Sequence, residues 1–275
     1  MSTLSACLVI HNSEKYLERC LQSLEGIADE IVIVHDGPCK DKSTEIAQKY
    51  QAGIFVQPYI GEAEAHRPFG YAQAQGEWVL FIDADEFLPE QTRRIIPSLM
   101  ERQDADAYSF LWPYHNGKNY IQKGPYNRIL RPCLFRKNKM YYLGISHLCL
   151  ATYGNLEERP DVLMEHRPDY NNYTWDSFRK KWLPWSRLEA RQILNYKNAP
   201  RFQIIDPENN PMMRLCKRKA ERPIYSCLRE CTGYKFYVLK NGLLTAGLES
   251  WKIYFLHILR IISVYYYILK LRYAP

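Results

Sequence analysis

The first third of the chain alternates short apolar runs with amphipathic segments. Four runs have the length and the β-branched or aromatic content of buried strands: residues 4–10, 30–37, 53–57 and 78–82. The segments between them predict helices, the first capped by Asn12 or Ser13 and the second opened by Ser43. The third helical segment, 62–75, contains Pro68, which should bend or interrupt it. This alternation predicts an α/β fold with a doubly wound, mostly parallel sheet and helices on both faces.

Polar side chains follow several of these runs at the end where each one stops. His11 follows the first run, Asp36 ends the second, and Asp83 and Asp85 follow the fourth. In a doubly wound sheet, ligands bind just beyond the carboxyl ends of the strands. We therefore expect these side chains to converge on one edge of the sheet, at a binding site.

The pattern changes after residue 107, where the predicted strands have more antiparallel character. A helical stretch at 175–194 should be broken or kinked at Pro184. The turn P-E-N-N-P at 207–211 is the predicted boundary between a domain of residues 1–211 and a helical extension of residues 212–275.

The extension is basic and ends in a long apolar segment. Residues 212–275 hold 12 Lys or Arg against 3 Glu, a net charge of +9, whereas the whole chain carries +7. Segment 251–272 predicts a helix whose polar residues form one narrow stripe: Lys252, Arg260, Ser263, Tyr267 and Lys270. Such a helix suits a membrane interface and docking against the protein core equally well, and its charges argue against a membrane span.

Composition is that of an ordinary globular protein, with 47% hydrophobic and 24% charged residues. The eight cysteines contain no pair of C-x-x-C units, which argues against a zinc site. No basic segment precedes the short N-terminal apolar run, so a signal peptide is not expected. Reduced thiols and a cytoplasmic location are the resulting expectation.

The stretch W-V-L-F-I-D-A-D-E (78–86) carries the clearest chemistry. Asp83 and Asp85 at the tip of a buried strand are costly unless a positive charge lies between them. Mg²⁺ or Mn²⁺ bound through carboxylates usually shares its coordination shell with a diphosphate. One carboxylate could therefore hold the metal while the other accepts a hydrogen bond from a sugar hydroxyl. The alternative is a solvated turn at a helix start, but the position after a fourth βαβ strand favours the metal site.

These segments resemble glycosyltransferase family 2, inverting enzymes of the GT-A fold, over most of the chain. L-V-I-H-N-S-E (8–14) is similar to the family's opening strand, with His-Asn for the usual Tyr-Asn. I-V-I-V-H-D-G (31–37) resembles the motif V-D-D-G-S, with His35 in place of the first aspartate. A-H-R-P (65–68) resembles the segment that carries an arginine, with Pro68 for the customary asparagine.

The resemblance implies a nucleotide-diphosphate sugar as donor and a divalent cation as cofactor. By that resemblance, Asp36 would contact the nucleobase or ribose and Arg67 the base or the diphosphate. Asp83 would bind the ribose, and Asp85, with Asp83 beside it, would hold the metal. Asn12 would belong to the same donor site. A simple turn after Asp36 and a surface charge at Arg67 are the ordinary alternatives.

Within the family, the chain is similar to enzymes that add sugars to lipopolysaccharide core. G-I-S-H (144–147) fits that subgroup, but Leu148 stands where a glutamate is expected. An inverting transfer needs a carboxylate that takes the proton of the acceptor hydroxyl. Glu165 is the first candidate to supply it and Asp169 the next. His147 would be a metal ligand or contact the acceptor, with packing as the ordinary alternative.

The region 173–191 mixes Trp175, Trp182 and Trp185 with a short run of cations. The rings could stack on sugar faces and the cations could hold a phosphorylated acceptor. Packing of the rings in the core and solvation of the cations is the more ordinary interpretation of any single residue here.

We expect a metal-dependent inverting transferase that acts on a lipid-linked, lipopolysaccharide-type or other glycan acceptor. It would work in the cytoplasm or at the inner face of the cytoplasmic membrane, where the basic extension would be attracted to anionic headgroups. A degenerate fold that binds a nucleotide sugar without turnover stays open because of Leu148 and Pro68. Nucleic acid is not expected as a partner, since binding through K-R-K (217–219) would leave Asp83 and Asp85 unexplained.

Overall fold

The computed structural model describes residues 2–273. Its strands are β1 (Leu4–Ile10), β2 (Glu30–Asp36), β3 (Gly53–Gln57), β4 (Trp78–Phe81), β5 (Glu86–Phe87), β6 (Ala107–Leu111), β7 (Leu130–Arg136), β8 (Met140–Leu143), β9 (Ala151–Thr152), β10 (Leu156–Leu163), β11 (Glu165–His166) and β12 (Arg201–Phe202). Its α-helices are α1 (Glu14–Gln22), α2 (Ser43–Lys49), α3 (Ala63–Gln73), α4 (Glu90–Glu101), α5 (Trp175–Ser177), α6 (Leu183–Leu194), α7 (Pro211–Glu221), α8 (Pro223–Lys240) and α9 (Leu248–Tyr273). The elements of the first third lie close to their predicted positions.

The central sheet, within the part of the chain that the structure describes, has seven strands in the order β10-β6-β7-β4-β1-β2-β3. Strands β3, β2, β1 and β4 run parallel. Strand β7 runs antiparallel to both β4 and β6. The predicted parallel first half and the antiparallel character after residue 107 are both confirmed. All residues of β1 and β4 are buried, as expected for strands that are covered on both faces.

The two prolines predicted to disturb helices behave differently. Helix α3 is continuous across Pro68, so it is not interrupted there. The Pro68 side chain is buried, and its packing offsets the one helical hydrogen bond that proline cannot donate. A π-helical turn at Phe178–Trp182 precedes α6, and Pro184 lies in the first turn of α6, where a missing N–H costs little. The predicted break at Pro184 is therefore absent: the stretch 175–194 is continuously helical, and its irregularity is the π-helical turn that precedes Pro184.

The helices after residue 211 pack on the same core as the sheet. Cys216 of α7 and Ile261, Val264 and Ile268 of α9 belong to one buried cluster that also contains Phe135 of β7. The predicted boundary at residue 211 coincides with the first residue of α7. The described part of the extension thus shares its hydrophobic core with the α/β domain.

The predicted polar stripe of helix α9 is not exposed along its whole length. Arg260 points inward and donates to the buried carboxylate of Glu189 on α6, whereas Lys252 and Lys270 are exposed. Between those two lysines, the outward side is apolar at helical spacing, a set that we call the exposed apolar stripe: Phe255, Leu259, Ile262 and Tyr266. By length and hydropathy alone the helix could cross a membrane. Its inward face is instead part of the protein core.

Candidate active site

A cavity of about 530 Å³, the main cavity, opens beyond the carboxyl end of β4. Asp83 and Asp85 reach it from the segment after β4, Arg67 from α3 and Arg131 from β7. Much of the remaining wall is aromatic: Trp112, Tyr114, Tyr170, Tyr173, Trp182 and Trp185. The structure therefore brings an acidic strand tip, two arginines and a set of aromatic rings around one space.

Asp83 is held between two arginines. Its Oδ1 accepts a hydrogen bond from Arg67 Nη2, and its Oδ2 accepts one from Arg131 Nη2, each at 2.8 Å. Both guanidinium groups lie over the Phe81 ring, 4.0 and 4.2 Å from its centroid. Burial raises the pKa of Asp83, but the two arginines more than offset that effect and hold the pKa well below its usual range. Asp83 is therefore ionised at neutral pH, with both oxygens used by the protein.

Arg131 is a site residue that the sequence pattern did not single out. Besides Asp83, it binds Glu86, whose side chain is only 1% exposed. Glu86 also accepts a hydrogen bond from Trp112 Nε1 at 2.6 Å. In the sequence, Arg131 is a single charged residue between apolar neighbours of a strand. The same alternation of polar and apolar residues is typical of an arginine on the protein surface, so it could not identify Arg131 as a site residue.

Asp85 is paired with His166. The distance between Asp85 Oδ2 and His166 Nε2 is 3.2 Å. The imidazole is stacked on the Trp112 ring at 4.6 Å, and its Nδ1 is buried with no hydrogen-bond partner among the described residues. Within residues 2–273, no group of three or more His, Cys, Asp or Glu is arranged to hold a metal. Asp85 and His166 are the two side chains here that could contribute to holding a divalent cation, if substrate phosphates and water supplied its other ligands.

Glu165, the predicted base, does not line the main cavity. Its carboxylate accepts hydrogen bonds from Arg167 at 2.8 and 2.9 Å. Successive side chains of a strand point to opposite faces, so His166 faces the cavity and Glu165 faces away. Asp169, the second candidate, pairs with Lys15 outside this cavity. The structure thus places neither of these two carboxylates where it could take a proton from an acceptor bound here.

His147 reaches the main cavity from the loop between β8 and β9. Its backbone has φ +61°, the left-handed region that histidine adopts more readily than most residues. Its Nδ1 lies 3.0 Å from Oε2 of Glu189, a carboxylate that is 4% exposed. The same oxygen accepts a hydrogen bond from Arg260 at 2.8 Å, and Lys219 lies 3.8 Å from the other oxygen.

Glu189 is ionised in spite of its burial. Burial raises its pKa, but Arg260, the hydrogen bond to His147 and the charge of Lys219 hold that pKa at about 2. Sequence pattern did not find this residue, since a glutamate inside a helix is ordinarily solvated. Oε2 of Glu189, the guanidinium of Arg260 and the ring of His147 form one polar cluster beside the cavity, and its carboxylate is buried.

A second cavity of about 170 Å³ lies at the carboxyl ends of β1 and β2. Its walls include His11, Asp36, Tyr59 and Glu62. Glu62 accepts a hydrogen bond from Ser146, the neighbour of His147. Strand β1 lies between β2 and β4 in the sheet, so the two cavities are neighbours along one edge.

Asp36 is 3% exposed, and its carboxylate accepts three hydrogen bonds from protein donors. It accepts hydrogen bonds from the backbone N–H groups of Ile60 at 2.7 Å and Gly61 at 2.8 Å, and from His66 Nε2 at 2.8 Å. These bonds hold segment 59–61 against the strand tip. Gly37, at φ +82°, completes the turn, because a Cβ there would lie 2.9 Å from Tyr59 Cβ.

Asn12 lies at the tip of β1, beside this second cavity, with φ +48°. Its side-chain oxygen accepts a hydrogen bond from the backbone N–H of Lys40 at 2.8 Å. Its side-chain nitrogen lies 3.1 Å from His11 Nε2. Asn12 therefore joins the loop after β2 to the tip of β1, although it does not line the cavity itself.

Comparison with known proteins gives the family. The model of glycosyl transferase family 2 matches residues 5–158, more than half of the chain. The lipopolysaccharide core biosynthesis glycosyltransferase LpsC of Rhizobium meliloti is 29% identical over 270 residues, which is 94% of each chain. An uncharacterized glycosyltransferase of Rickettsia bellii is 29% identical over 133 residues, 46% of this chain and 45% of that protein. For that relative the match therefore spans less than half of its length.

Comparison with solved structures matches the S. aureus TarS 1-349 structure, with a TM-score of 0.46 and 16% identity over 99% of this chain and 92% of that one. Glucosyl-3-phosphoglycerate synthase from Mycobacterium tuberculosis, in complex with Mn²⁺ and UDP, gives a TM-score of 0.34 and 20% identity over 40% of this chain and 44% of that one. The family match decides the assignment: the chain belongs to glycosyl transferase family 2. Its sheet is the GT-A arrangement that the sequence motifs predict.

Proposed function

We propose that this protein is a glycosyltransferase that binds a nucleotide-diphosphate sugar across the two neighbouring cavities and transfers the sugar to an acceptor in the main cavity. One observation carries the proposal: Asp85, His166, Arg67 and Arg131 converge on a cavity of about 530 Å³ at the carboxyl edge of the sheet. That edge is where ligands bind in doubly wound folds. Arginines suit phosphate groups, because their planar forks match the phosphate oxygens.

The nucleoside fits the second cavity and the diphosphate fits the acidic tip of β4. His11 and Tyr59 lie with ring centroids 4.9 Å apart and offer an aromatic surface to a base. Asp36 acts on that surface by fixing segment 59–61, and Asn12 by fixing the tip of β1. Asp83 keeps lone pairs for a ribose hydroxyl, since each carboxylate oxygen can accept more than one hydrogen bond.

Asp85 and His166 would hold Mg²⁺ or Mn²⁺ together with the donor's diphosphate. When bound, that cation would stabilise the negative charge of the departing nucleoside diphosphate. Arg67 and Arg131 would add to this stabilisation from the other side. Asp83 would keep their guanidinium groups in place, as its two hydrogen bonds do in the structure. Asp83 thus acts in this proposal mainly as the partner of the arginines.

The acceptor is proposed to be lipid-linked, and the protein to meet it at an anionic membrane surface. Helix α9 exposes Phe255, Leu259, Ile262 and Tyr266, with Lys252 and Lys270 at the two ends. Burial of such a stripe in the headgroup region, with lysines beside anionic lipids, is the binding mode of interfacial helices. The relative from Rhizobium meliloti, which matches along nearly the whole chain, is named for lipopolysaccharide core biosynthesis.

Helix α9 is proposed to lie on the membrane rather than cross it. Its inward face forms the Arg260–Glu189 ion pair at 2.8 Å and packs into the core with Ile261 and Val264. Crossing would require the helix to leave those contacts. The net charge of +9 in residues 212–275 adds attraction to anionic lipids.

Thermal unfolding against a panel of nucleoside diphosphates and nucleotide sugars tests the donor site. Each ligand is added with Mn²⁺ or with EDTA, to the wild type and to Asp85→Asn. A ligand that binds the folded state raises the midpoint by mass action. We expect one nucleotide series to raise it in Mn²⁺ and this shift to be lost in Asp85→Asn. If no nucleotide moves the wild-type midpoint, the proposed donor site is wrong. Binding without turnover would identify the degenerate transferase instead.

A further inference from the structure

His147 is placed for acid–base chemistry, as an imidazole that a buried carboxylate orients. It lines the main cavity, and its side chain is 30% exposed. Its Nδ1 faces the Glu189 carboxylate at 3.0 Å, which fixes the ring and leaves Nε2 as the nitrogen available to the cavity. A carboxylate in this position also stabilises an imidazolium once the ring has taken a proton.

The carboxylates that line the same cavity are worse placed for this task. Asp83 is bound by two arginines, and Asp85 is paired with His166. Both are therefore committed to the donor end of the cavity. Glu64 also lines the cavity, and among the described residues it has no ion pair or side-chain hydrogen bond that would orient it. His147 is the cavity-lining base with a buried, charged partner behind it.

We infer that His147 is the general base of the transfer and that Glu189 is its positioning residue. This inference rests on the proposed transferase function. The acceptor hydroxyl oxygen attacks the anomeric carbon of the donor and forms the new glycosidic bond. The bond from that carbon to the diphosphate oxygen breaks, and its electron pair leaves with the nucleoside diphosphate. The hydroxyl proton passes to Nε2 of His147, and Glu189 faces the resulting imidazolium.

The surroundings of His147 allow that change of charge. Glu189 on α6 contacts it directly, Arg260 on α9 shares the same Glu189 oxygen, and Lys219 on α7 lies on the other oxygen. His257 on α9 also lines the cavity, and burial together with Arg260 lowers its pKa to about 3, so it is neutral. The Trp185 ring meets the His147 ring edge-on at 6.0 Å. One anion therefore faces His147, and that anion is the group that would stabilise its protonated form.

Leu148 offers a rescue position. It lines the same cavity as His147, so a glutamate introduced there would face the same space. The test compares kcat and KM for wild type, His147→Gln, Leu148→Glu in the His147→Gln background, Glu189→Asp and Glu64→Gln. Donor-induced shifts of the unfolding midpoint are measured for each variant, which separates binding from chemistry.

For His147→Gln we expect an unchanged donor-induced shift and a kcat lower by roughly 10²- to 10⁴-fold, the usual contribution of a general base. Leu148→Glu in that background should raise kcat at least tenfold above the kcat of His147→Gln alone. Its rate should also persist to lower pH, because a carboxylate ordinarily titrates about two pH units below an imidazole. Glu189→Asp should lower kcat with little change in KM. Glu64→Gln removes the other cavity carboxylate without an assigned partner, and it should lower kcat less than His147→Gln does.

A His147→Gln enzyme with near wild-type kcat overturns the inference, as does loss of turnover in Glu64→Gln with retention in His147→Gln. A rescued variant with the wild-type pH profile also contradicts it. If the wild type neither transfers nor hydrolyses any nucleotide sugar, the proposed function itself is wrong. The donor-induced midpoint shifts, measured in parallel, then show whether donor binding is lost as well. Failure of the two proposals therefore gives different results.

Discussion

Asp85 and His166 meet at 3.2 Å although 81 residues separate them in the chain. The contact arises from a two-residue antiparallel pairing, in which His166 of β11 lies opposite Glu86 of β5. This short ribbon lies immediately beyond the β4 tip, and it carries the imidazole to the carboxylate. The pair is the part of the site best suited to a divalent cation, since each side chain is an acceptable ligand and neither has a second cation as partner among the described residues.

His166→Gln tests the imidazole's part in metal binding. Because glutamine lacks the imidazole nitrogen, we expect the apparent affinity for Mn²⁺ in the presence of donor nucleotide to fall about tenfold or more. The measurement is the Mn²⁺ concentration that gives half of the maximal midpoint shift. Asp161→Asn, in an exposed pair with Arg159, is the matched control and should keep the wild-type value. Equal Mn²⁺ dependence in His166→Gln and wild type would exclude His166 as a ligand.

Arg131→Met should destabilise the folded protein by roughly 2–4 kcal/mol, because it leaves the buried Glu86 and one oxygen of Asp83 without their cation. Urea unfolding at pH 7.5 measures the effect. The control is Arg94→Met, which breaks an exposed pair with Glu90 and should cost less than about 0.5 kcal/mol. Similar losses in the two variants would contradict the importance of the buried network.

The same network predicts a loss of stability in acid. The pKa of Asp83 is lowered in the folded state relative to the unfolded chain, so its contribution is present above the unfolded pKa near 4 and is lost as pH falls below it. In Asp83→Asn the wild-type decrease between about pH 5 and pH 2 should become shallower. Urea midpoints over that range measure it, and an unchanged slope would count against the pairing.

Glu62 predicts the opposite pH dependence. Burial raises its pKa to about 7, although hydrogen bonds from Ser146 and Gln192 oppose that rise. Between about pH 4.5 and pH 7 the folded state therefore holds a proton that the unfolded chain has released, and stability falls as pH rises. Glu62→Gln should remove this decrease. The difference in free energy of unfolding between Glu62→Gln and wild type should therefore shift in favour of the variant by about 2 kcal/mol from pH 5 to pH 8. Urea unfolding at both values measures it, with the exposed Glu45→Gln as control. If the stability of Glu62→Gln falls with pH as steeply as that of wild type, the raised pKa of Glu62 is wrong.

The exposed apolar stripe predicts binding to anionic vesicles. A double change, Phe255→Glu with Ile262→Glu, replaces two outward apolar residues by charges and should lower the bound fraction severalfold. Co-sedimentation with vesicles of phosphatidylglycerol and phosphatidylethanolamine measures binding. Ile205→Glu, at a residue that is 81% exposed elsewhere, is the control. Equal sedimentation of the double variant and wild type would remove α9 as the membrane contact.

Local patterns were sufficient for the first half of the fold. Residues 4–10 and 53–57 were predicted as strands with the observed bounds, because buried strands have a strong and short-range signal. Strand order also predicted that His11, Asp36, Asp83 and Asp85 lie at one edge of the sheet, where the structure divides them between two neighbouring cavities. These parts of the site depend on backbone topology, which the periodicity of apolar residues in the sequence predicts. Arg67 lies in helix α3 and was expected in the site only from the family resemblance.

The side chains that pair with these residues are determined by long-range contacts, which no local sequence pattern predicts. Glu165 and His166 are adjacent, and a difference of one residue in strand register decides which of them faces the cavity. Arg260 lay on the predicted polar stripe of α9, yet it points inward because the buried Glu189 of α6 provides its partner. Such pairs are 71 or more residues apart and become visible only when the packed structure is known.

Release of nucleoside diphosphate from a panel of nucleotide sugars measures the proposed transferase activity itself. The protein is incubated with each donor, Mg²⁺ or Mn²⁺, and a detergent extract of lipid-linked glycans, and products are followed by mass spectrometry. We expect one donor to be consumed, with its sugar moved to a lipid-linked acceptor. EDTA should stop the reaction, and Asp85→Asn should lower the rate at least 10²-fold. Consumption of no donor by the folded wild type, or an Asp85→Asn rate equal to wild type, would contradict the proposed function.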